Sequence, residues 1–195
     1  LPVGLTDKFK VPGAEEQKTI FHEYFHAVQY SYIKTKIRQK IPIWFDEGGA
    51  EYMAWVGLTN VYQSGVLERV NMVGKYPFYP LEYMRRKIEK GKIGLKSVCP
   101  GVSLKDLGWS TRNGNSCADF AYDIGFWAHA YLANKFGSDT LLDTFYPNLQ
   151  KLDWEGAFER AYGMSSEDFY EEFKNFLNLP LKEQLSILPK SFQVN

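Results

Sequence analysis

Two histidines four residues apart, His22 and His26, enclose Glu23 in the run His-Glu-Tyr-Phe-His. On an α-helix, residues four apart lie on one face about a turn from each other, so both imidazoles can reach one metal ion. The pair suits zinc, whose catalytic sites typically take three protein ligands and leave one position for water. Glu23 is adjacent to His22 and turned toward that open position, where a carboxylate can accept the water's proton as general base. The run therefore predicts a hydrolytic zinc site that still needs one ligand.

The third ligand must come from another element, and the best candidate is Glu47 in the run Trp-Phe-Asp-Glu-Gly-Gly-Ala-Glu-Tyr. Twenty residues (27 to 46) separate it from His26. That spacing predicts a first helix that ends near Gln39 to Ile43 and a second, antiparallel helix that brings Glu47 back beside the histidines. One turn beyond, Glu51 could accept a hydrogen bond from a ligand histidine and fix its tautomer. The alternative for this residue is a solvated helix carboxylate.

These runs resemble the gluzincin metallopeptidases, which share a His-Glu-x-x-His helix and a downstream glutamate ligand. Two branches are similar: the aminopeptidase and leukotriene-hydrolase group, with an Asn-Glu-Gly-x-Ala type of run, and the bacterial collagenases, with a run nearer Glu-Glu-Gly-Gly-Ala-Glu. The stretch from Asp46 to Glu51 is closer to the second. The resemblance extends from about residue 15 to 180 and implies Zn²⁺ held by His22, His26 and Glu47.

A third run, Ala-Tyr-Asp-Ile-Gly-Phe-Trp around Tyr122, resembles the Tyr-x-x-Gly helix of the aminopeptidase group. In that group the tyrosine hydroxyl hydrogen-bonds the oxyanion of the tetrahedral intermediate, so the resemblance implies this role for Tyr122. The alternative is one more core aromatic in a chain with 13 tyrosines. His129 lies seven residues later on the same helical face, where a hydrogen-bonded core histidine is more common than a ligand.

The sequence departs from these families at two points. It lacks the Gly-x-Met-x-Asn strand with which the aminopeptidases read a free amino terminus, and this favours an endopeptidase. Residues 1 to 13 leave almost no room for the substrate-aligning sheet that gluzincins usually carry ahead of the zinc helix. Either that sheet lies upstream of residue 1, or the substrate is held differently.

Length and charge agree with a single catalytic domain over residues 1–195, which can bury one substantial core. Lys plus Arg and Asp plus Glu are 23 each, with no run of like charge, so nothing indicates a nucleic-acid partner or an anionic membrane. No stretch approaches the length of a transmembrane segment, and the first residues are not a signal peptide. The expected partner is a peptide or protein substrate.

Two cysteines, Cys99 and Cys117, bracket a loop-like stretch rich in Gly, Ser and Asn. A disulfide is the economical interpretation and would imply an oxidising compartment, which favours a secreted, periplasmic or cell-envelope protein. The alternative is two independent buried thiols.

The pattern of apolar residues and stop signals predicts a mainly α fold, α+β at most, shaped like the helical lobe of a gluzincin. The predicted elements are a zinc helix after Pro12-Gly13, a Glu47 helix to about Gly57, helices near Ser64–Val73 and 80–91, a Tyr122 helix opened by Ser116 with Asp119 and ended by Gly137, helices at 138–146, 153–162 and 166–178, and short strands such as 93–98.

The sequence thus predicts a zinc metallopeptidase of the gluzincin type that hydrolyses peptide bonds. The contrasting hypothesis is a catalytically inactive peptidase-like domain that binds peptides or serves as a structural module. Glu23 favours the enzyme, because a general base has no use in a domain that only binds.

Overall fold

The computed structural model of the chain describes residues 14–33, 40–65, 85, 86, 89, 103–107 and 117–193. Over these ranges the chain is helical and contains no strand, which confirms the mainly α prediction. None of the helices in this part of the chain is long and apolar enough to cross a membrane.

The part of the chain that the structure describes includes the α-helices α1 (Ala14–Tyr32), α2 (Ile43–Gln63), α3 (Cys117–Phe136), α4 (Tyr146–Tyr162), α5 (Ser166–Phe176) and α6 (Leu181–Leu185). Shorter helical turns lie at Leu104–Asp106, at Leu141–Phe145, where the turn is of the wide π type, and at Lys190–Gln193.

Helices α2 and α3 touch backbone to backbone at Gly48 and Gly125. A Cβ on Gly125 would lie 2.0 Å from the carbonyl oxygen of Trp44, and a Cβ on Gly48 would lie 2.4 Å from the Cα of Gly125. Such distances leave room for glycine alone at both positions. The crossing places Glu47 directly beside the contact on α2 and Tyr122 about one turn away on α3.

The first turn of α2 packs into a core of aromatic side chains. Trp44 and Phe45 have no exposed surface. The ring centroid of Phe45 lies 4.5 Å from that of Phe145 and 4.6 Å from that of Trp154, and the Trp44 ring stacks on Phe169 at 5.6 Å. Helices α4 and α5 therefore hold the segment that immediately precedes Glu47.

Two predicted helix ends are wrong. Helix α1 ends at Tyr32 rather than near Gln39 to Ile43, and neither Tyr32 nor Ile33 is a glycine or proline that would mark this end in the sequence. Helix α2 continues past Gly57 to Gln63. Gly57 is not a stop signal but a packing position, since a Cβ there would lie 2.9 Å from the Phe21 ring of α1.

Three predicted end signals are confirmed. Gly137 (φ 102°) follows the last residue of α3, and Gly163 (φ 65°) caps α4, both with the left-handed backbone that glycine tolerates. The Ser165 hydroxyl accepts a hydrogen bond of 3.1 Å from the Asp168 amide at the start of α5. That helix ends at Phe176, two residues before the predicted end.

The segments predicted as helices 138–146 and 153–162 form one longer run. The π turn at Leu141–Phe145 leads directly into α4, so the predicted gap between the two segments does not exist. A break does occur at Asp153, whose φ is 60° and whose carboxylate accepts from the Gly156 amide at 3.3 Å. The side chain thus caps the second half of α4, at the residue where the sequence predicted a helix to begin.

Several predictions fall outside the described residues. These are the helix near 64–73 beyond Gly65, most of the helix at 80–91, the strands near 93–98, the capping role of Ser116, and the Cys99–Cys117 disulfide. All of them stay predictions.

Substituting Gly125 by alanine should separate α2 from α3, because the new Cβ would meet the Trp44 backbone rather than a side chain that can turn away. We expect a loss of about 3 kcal/mol in the free energy of unfolding, measured by urea titration. Gly57→Ala is the matched control, since its Cβ meets only the Phe21 side chain. The better helix propensity of alanine should keep that variant within about 1 kcal/mol of the parent. Equal stability of the two variants would contradict the close backbone contact.

Candidate metal centre

Three buried side chains converge between α1 and α2. The Glu47 Oε2 atom lies 3.1 Å from His26 Nε2 and 3.4 Å from His22 Nε2. All three residues are less than a tenth exposed, and their ligand atoms lie within 4.8 Å of one another. Zinc bonds of about 2.0–2.1 Å in a tetrahedral site place ligand atoms about 3.3 Å apart, so the two distances from Glu47 are those of a set that could hold a metal ion.

The second nitrogen of each histidine ring faces an acceptor. His22 Nδ1 lies 3.3 Å from Glu51 Oε2, and His26 Nδ1 lies 2.5 Å from the Gln29 side-chain oxygen. Because these oxygens only accept, Nδ1 of each ring carries the hydrogen and the Nε2 lone pair is available toward Glu47. When lone pairs of several hydrogen-bond acceptors meet in a buried space, a cation must lie between them, either a proton or a metal ion. The same lone pairs are those that bind a metal, so the three side chains fit a metal ion.

A proton can take that place on His22. Burial lowers the pKa of this imidazole, but hydrogen bonds and charge from Glu47 and Glu51 outweigh burial and raise the pKa to about 9. At neutral pH the metal-free protein thus carries an imidazolium at this position. Metal binding must then release this proton.

The Glu51 carboxylate is held from its other side by Lys18. The Lys18 ammonium lies 2.9 and 3.0 Å from the two Glu51 oxygens, with 13% of its side chain exposed. Glu51 therefore lies between a cation and His22, rather than in solvent. Sequence reasoning missed Lys18, although it precedes His22 by four residues, which is one helical turn on the same face.

Tyr122 of α3 reaches the same region. Its half-buried ring lies 6.2 Å from the His22 ring between centroids, with 19° between the planes. Glu23, next to His22 on α1, is exposed to solvent. The structure thus brings Tyr122 to the histidines from a helix about a hundred residues away, and leaves Glu23 accessible beside them.

His129 belongs to the core instead. It is 3% exposed, its Nδ1 donates to the Gly125 carbonyl at 2.9 Å, and its ring packs on Phe45 at 4.5 Å. Burial lowers the pKa of His129 to about 4, so the ring is neutral. Gly49 makes room for it, since a Cβ there would lie 2.9 Å from Nε2. This arrangement agrees with the expectation that a lone histidine here is a core residue.

The raised pKa of His22 predicts a pH-dependent stability for the metal-free protein. Because the pKa of His22 is about 9 in the folded protein and that of an ordinary histidine is 6.5, the charged His22 stabilises the fold fully below about pH 6.5, and this stabilisation is lost as the pH rises through 9. With a chelator present, the parent should lose more thermal stability than His22→Gln between about pH 6 and about pH 10. Identical pH profiles of the two proteins would contradict the charged His22.

Similarity to known proteins adds no information about this site. Comparisons of the chain with protein-family models, with curated proteins and with solved structures return no match. The resemblance to gluzincins rests on the short runs around His22, Glu47 and Tyr122 alone, and it stays a prediction. The chemistry of the site has to follow from its own side chains.

Proposed function

We propose that this chain is a zinc-dependent peptidase of the gluzincin type. The observation that carries the proposal is the convergence of His22, His26 and Glu47 from two helices, with an acceptor behind each imidazole. Two imidazoles and one carboxylate are a typical ligand set of catalytic zinc, which keeps a further position open. Structural zinc sites are usually closed by four protein ligands, so a set of three within the described part of the chain favours catalysis over a structural metal.

When bound, the zinc ion would polarise the scissile carbonyl and lower the pKa of a water molecule, so that the water can lose a proton as it attacks the carbonyl. Glu23 accepts the proton of that water and passes it to the leaving amine, a task that its exposed position beside His22 permits. The Tyr122 hydroxyl donates a hydrogen bond to the oxyanion as charge develops on the carbonyl oxygen. We propose internal peptide bonds as the substrate, because the sequence lacks the motif that reads a free amino terminus.

The two buried glutamates should affect metal binding differently. We expect about one zinc ion per chain in the purified parent, almost none in Glu47→Ala, and an affinity about ten- to a hundredfold lower in Glu51→Ala. Glu171→Ala, which removes an exposed carboxylate paired with Lys174 on α5, is the control and should bind like the parent. Elemental analysis and competitive titration measure both quantities. A stronger effect of Glu51→Ala would move the ligand to Glu51, and a parent without zinc after reconstitution would end the proposal.

Glu23→Gln should retain zinc and lose turnover, because the amide keeps the shape of the side chain but cannot accept a proton. Cleavage of a peptide pool with blocked termini, followed by mass spectrometry, measures the loss. Tyr24→Phe changes the neighbouring, 69% exposed side chain and should leave the rate unchanged. Equal rates of Glu23→Gln and parent would exclude Glu23 as the base. A zinc-loaded parent that cleaves nothing would favour the binding-module alternative.

Tyr122→Phe removes one hydroxyl and keeps the ring against His22, so zinc content and fold should be unchanged. If the hydroxyl meets the oxyanion, kcat should fall about a hundred- to a thousandfold, with a much smaller effect on KM. Steady-state kinetics on one cleaved peptide separate the two constants. Near-normal kcat would assign the oxyanion donor to another group.

A further inference from the structure

Gln29 is a polar side chain with no exposed surface, three residues after His26 on α1. Above, only its oxygen has a role, as the acceptor behind His26. A buried amide must satisfy its own hydrogen-bonding groups, so its orientation is dictated by what surrounds it.

The surroundings allow one orientation of the amide. The nitrogen of Gln29 lies 2.9 Å from the backbone carbonyl of Asp46 and 2.7 Å from the hydroxyl of Tyr146. A backbone carbonyl only accepts, so the NH₂ end of the amide has to face it. Both amide hydrogens are then used, and the side-chain oxygen is left toward His26 Nδ1 at 2.5 Å.

That oxygen specifies which nitrogen of His26 carries the hydrogen. An amide oxygen cannot donate, so Nδ1 must be protonated. Tyr30 also approaches Nδ1, at 3.2 Å, but a hydroxyl can donate or accept and does not choose between the tautomers. On the opposite side of the ring, Glu47 Oε2 is an acceptor at 3.1 Å from Nε2 and favours the tautomer with the hydrogen on Nε2. Gln29 favours the other tautomer, with the hydrogen on Nδ1.

We propose that Gln29 is a positioning residue of the metal centre: it keeps the His26 hydrogen on Nδ1 and leaves Nε2 free for the metal. The inference rests on the proposed function for its purpose, but its geometry does not depend on a metal. The same amide also donates hydrogen bonds to the backbone carbonyl of Asp46, directly before Glu47, and to the hydroxyl of Tyr146 at the start of α4. One side chain therefore sets the ring of one ligand and the backbone beside another.

Three variants test the role. Gln29→Met keeps the length of the side chain but accepts only weakly, and Gln29→Glu restores an acceptor at Nδ1. Tyr146→Phe removes the hydroxyl that binds the amide nitrogen and leaves the amide itself in place. Gln17→Met is the matched control, because it makes the same change at another buried glutamine of α1, five residues before His22. Nitrogen-15 NMR of the histidine rings reads the Nδ1 hydrogen with and without zinc, and competitive titration reads the affinity.

In the parent we expect the His26 Nδ1 resonance to be that of a protonated nitrogen in both states. In metal-free Gln29→Met it should move toward the unprotonated value, with zinc affinity about ten- to a hundredfold lower. Gln29→Glu should recover the Nδ1 hydrogen, Tyr146→Phe should show a smaller loss of affinity than Gln29→Met, and Gln17→Met should match the parent.

An unchanged Nδ1 signal and unchanged affinity in Gln29→Met would overturn the inference while leaving the zinc proposal standing. If the parent binds no zinc and the Nδ1 hydrogen is lost in Gln29→Met, the zinc proposal is wrong and the orienting role of Gln29 stands. If Gln29→Met does not fold, the comparison of Gln29→Glu and Tyr146→Phe with the parent decides. A Nδ1 signal lost in Gln29→Glu, or affinity equal to the parent's in Tyr146→Phe, would then overturn the inference.

Discussion

Helices α2 and α3 approach so closely at Gly48 and Gly125 that their backbones are in contact, and the position of the site depends on this approach. Glu47 is the residue before Gly48, and Tyr122 lies three residues before Gly125. Any side chain at the crossing would push the two helices apart and carry these two groups with them. Packed interiors do not absorb such a shift gradually, so the glycine pair acts as a geometric constraint on the site.

The aromatic core makes that constraint rigid. The first turn of α2 is enclosed by rings from α4, α5 and the π turn before α4, with Trp44 and Phe45 fully buried. Neither residue touches the proposed chemistry directly. They prevent the helix that carries Glu47 from sliding or turning, which matters because metal ligands must be held to within about half an ångström.

The negative charge of the buried carboxylates is balanced by two kinds of cationic partner. Burying carboxylates is costly unless each meets a cation or a hydrogen-bond donor, and Glu47 and Glu51 are only 3% and 2% exposed. Lys18 pairs with Glu51, while the imidazoles face both carboxylates. The raised pKa of His22 expresses the same demand, because a proton is the cation available without metal. A metal ion that binds here must displace this proton, so metal binding competes with protonation of His22.

Local features of the sequence were sufficient wherever the physics is local. The one-turn spacing of His22 and His26, the end signals at Gly137 and Gly163, and the cap at Ser165 depend on neighbouring residues, and the structure shows these features. The downstream carboxylate was proposed from spacing and resemblance, and the structure brings Glu47 to the histidines. Lys18 was within reach of the same reasoning, since it lies one turn before His22.

Tertiary structure decided what depends on contacts between distant segments. The role of Gly57 as a packing position follows from Phe21 of another helix. The orientation of Gln29 follows from Tyr146, 117 positions away, and the burial of His129 follows from its packing on Phe45 and against Gly49. The sequence by itself determined which residue types could form a metal site and on which helical faces they lie. Only the packing of the helices against one another determined the distances between these residues and their burial. These properties arise from contacts between atoms of different helices, which no local pattern connects.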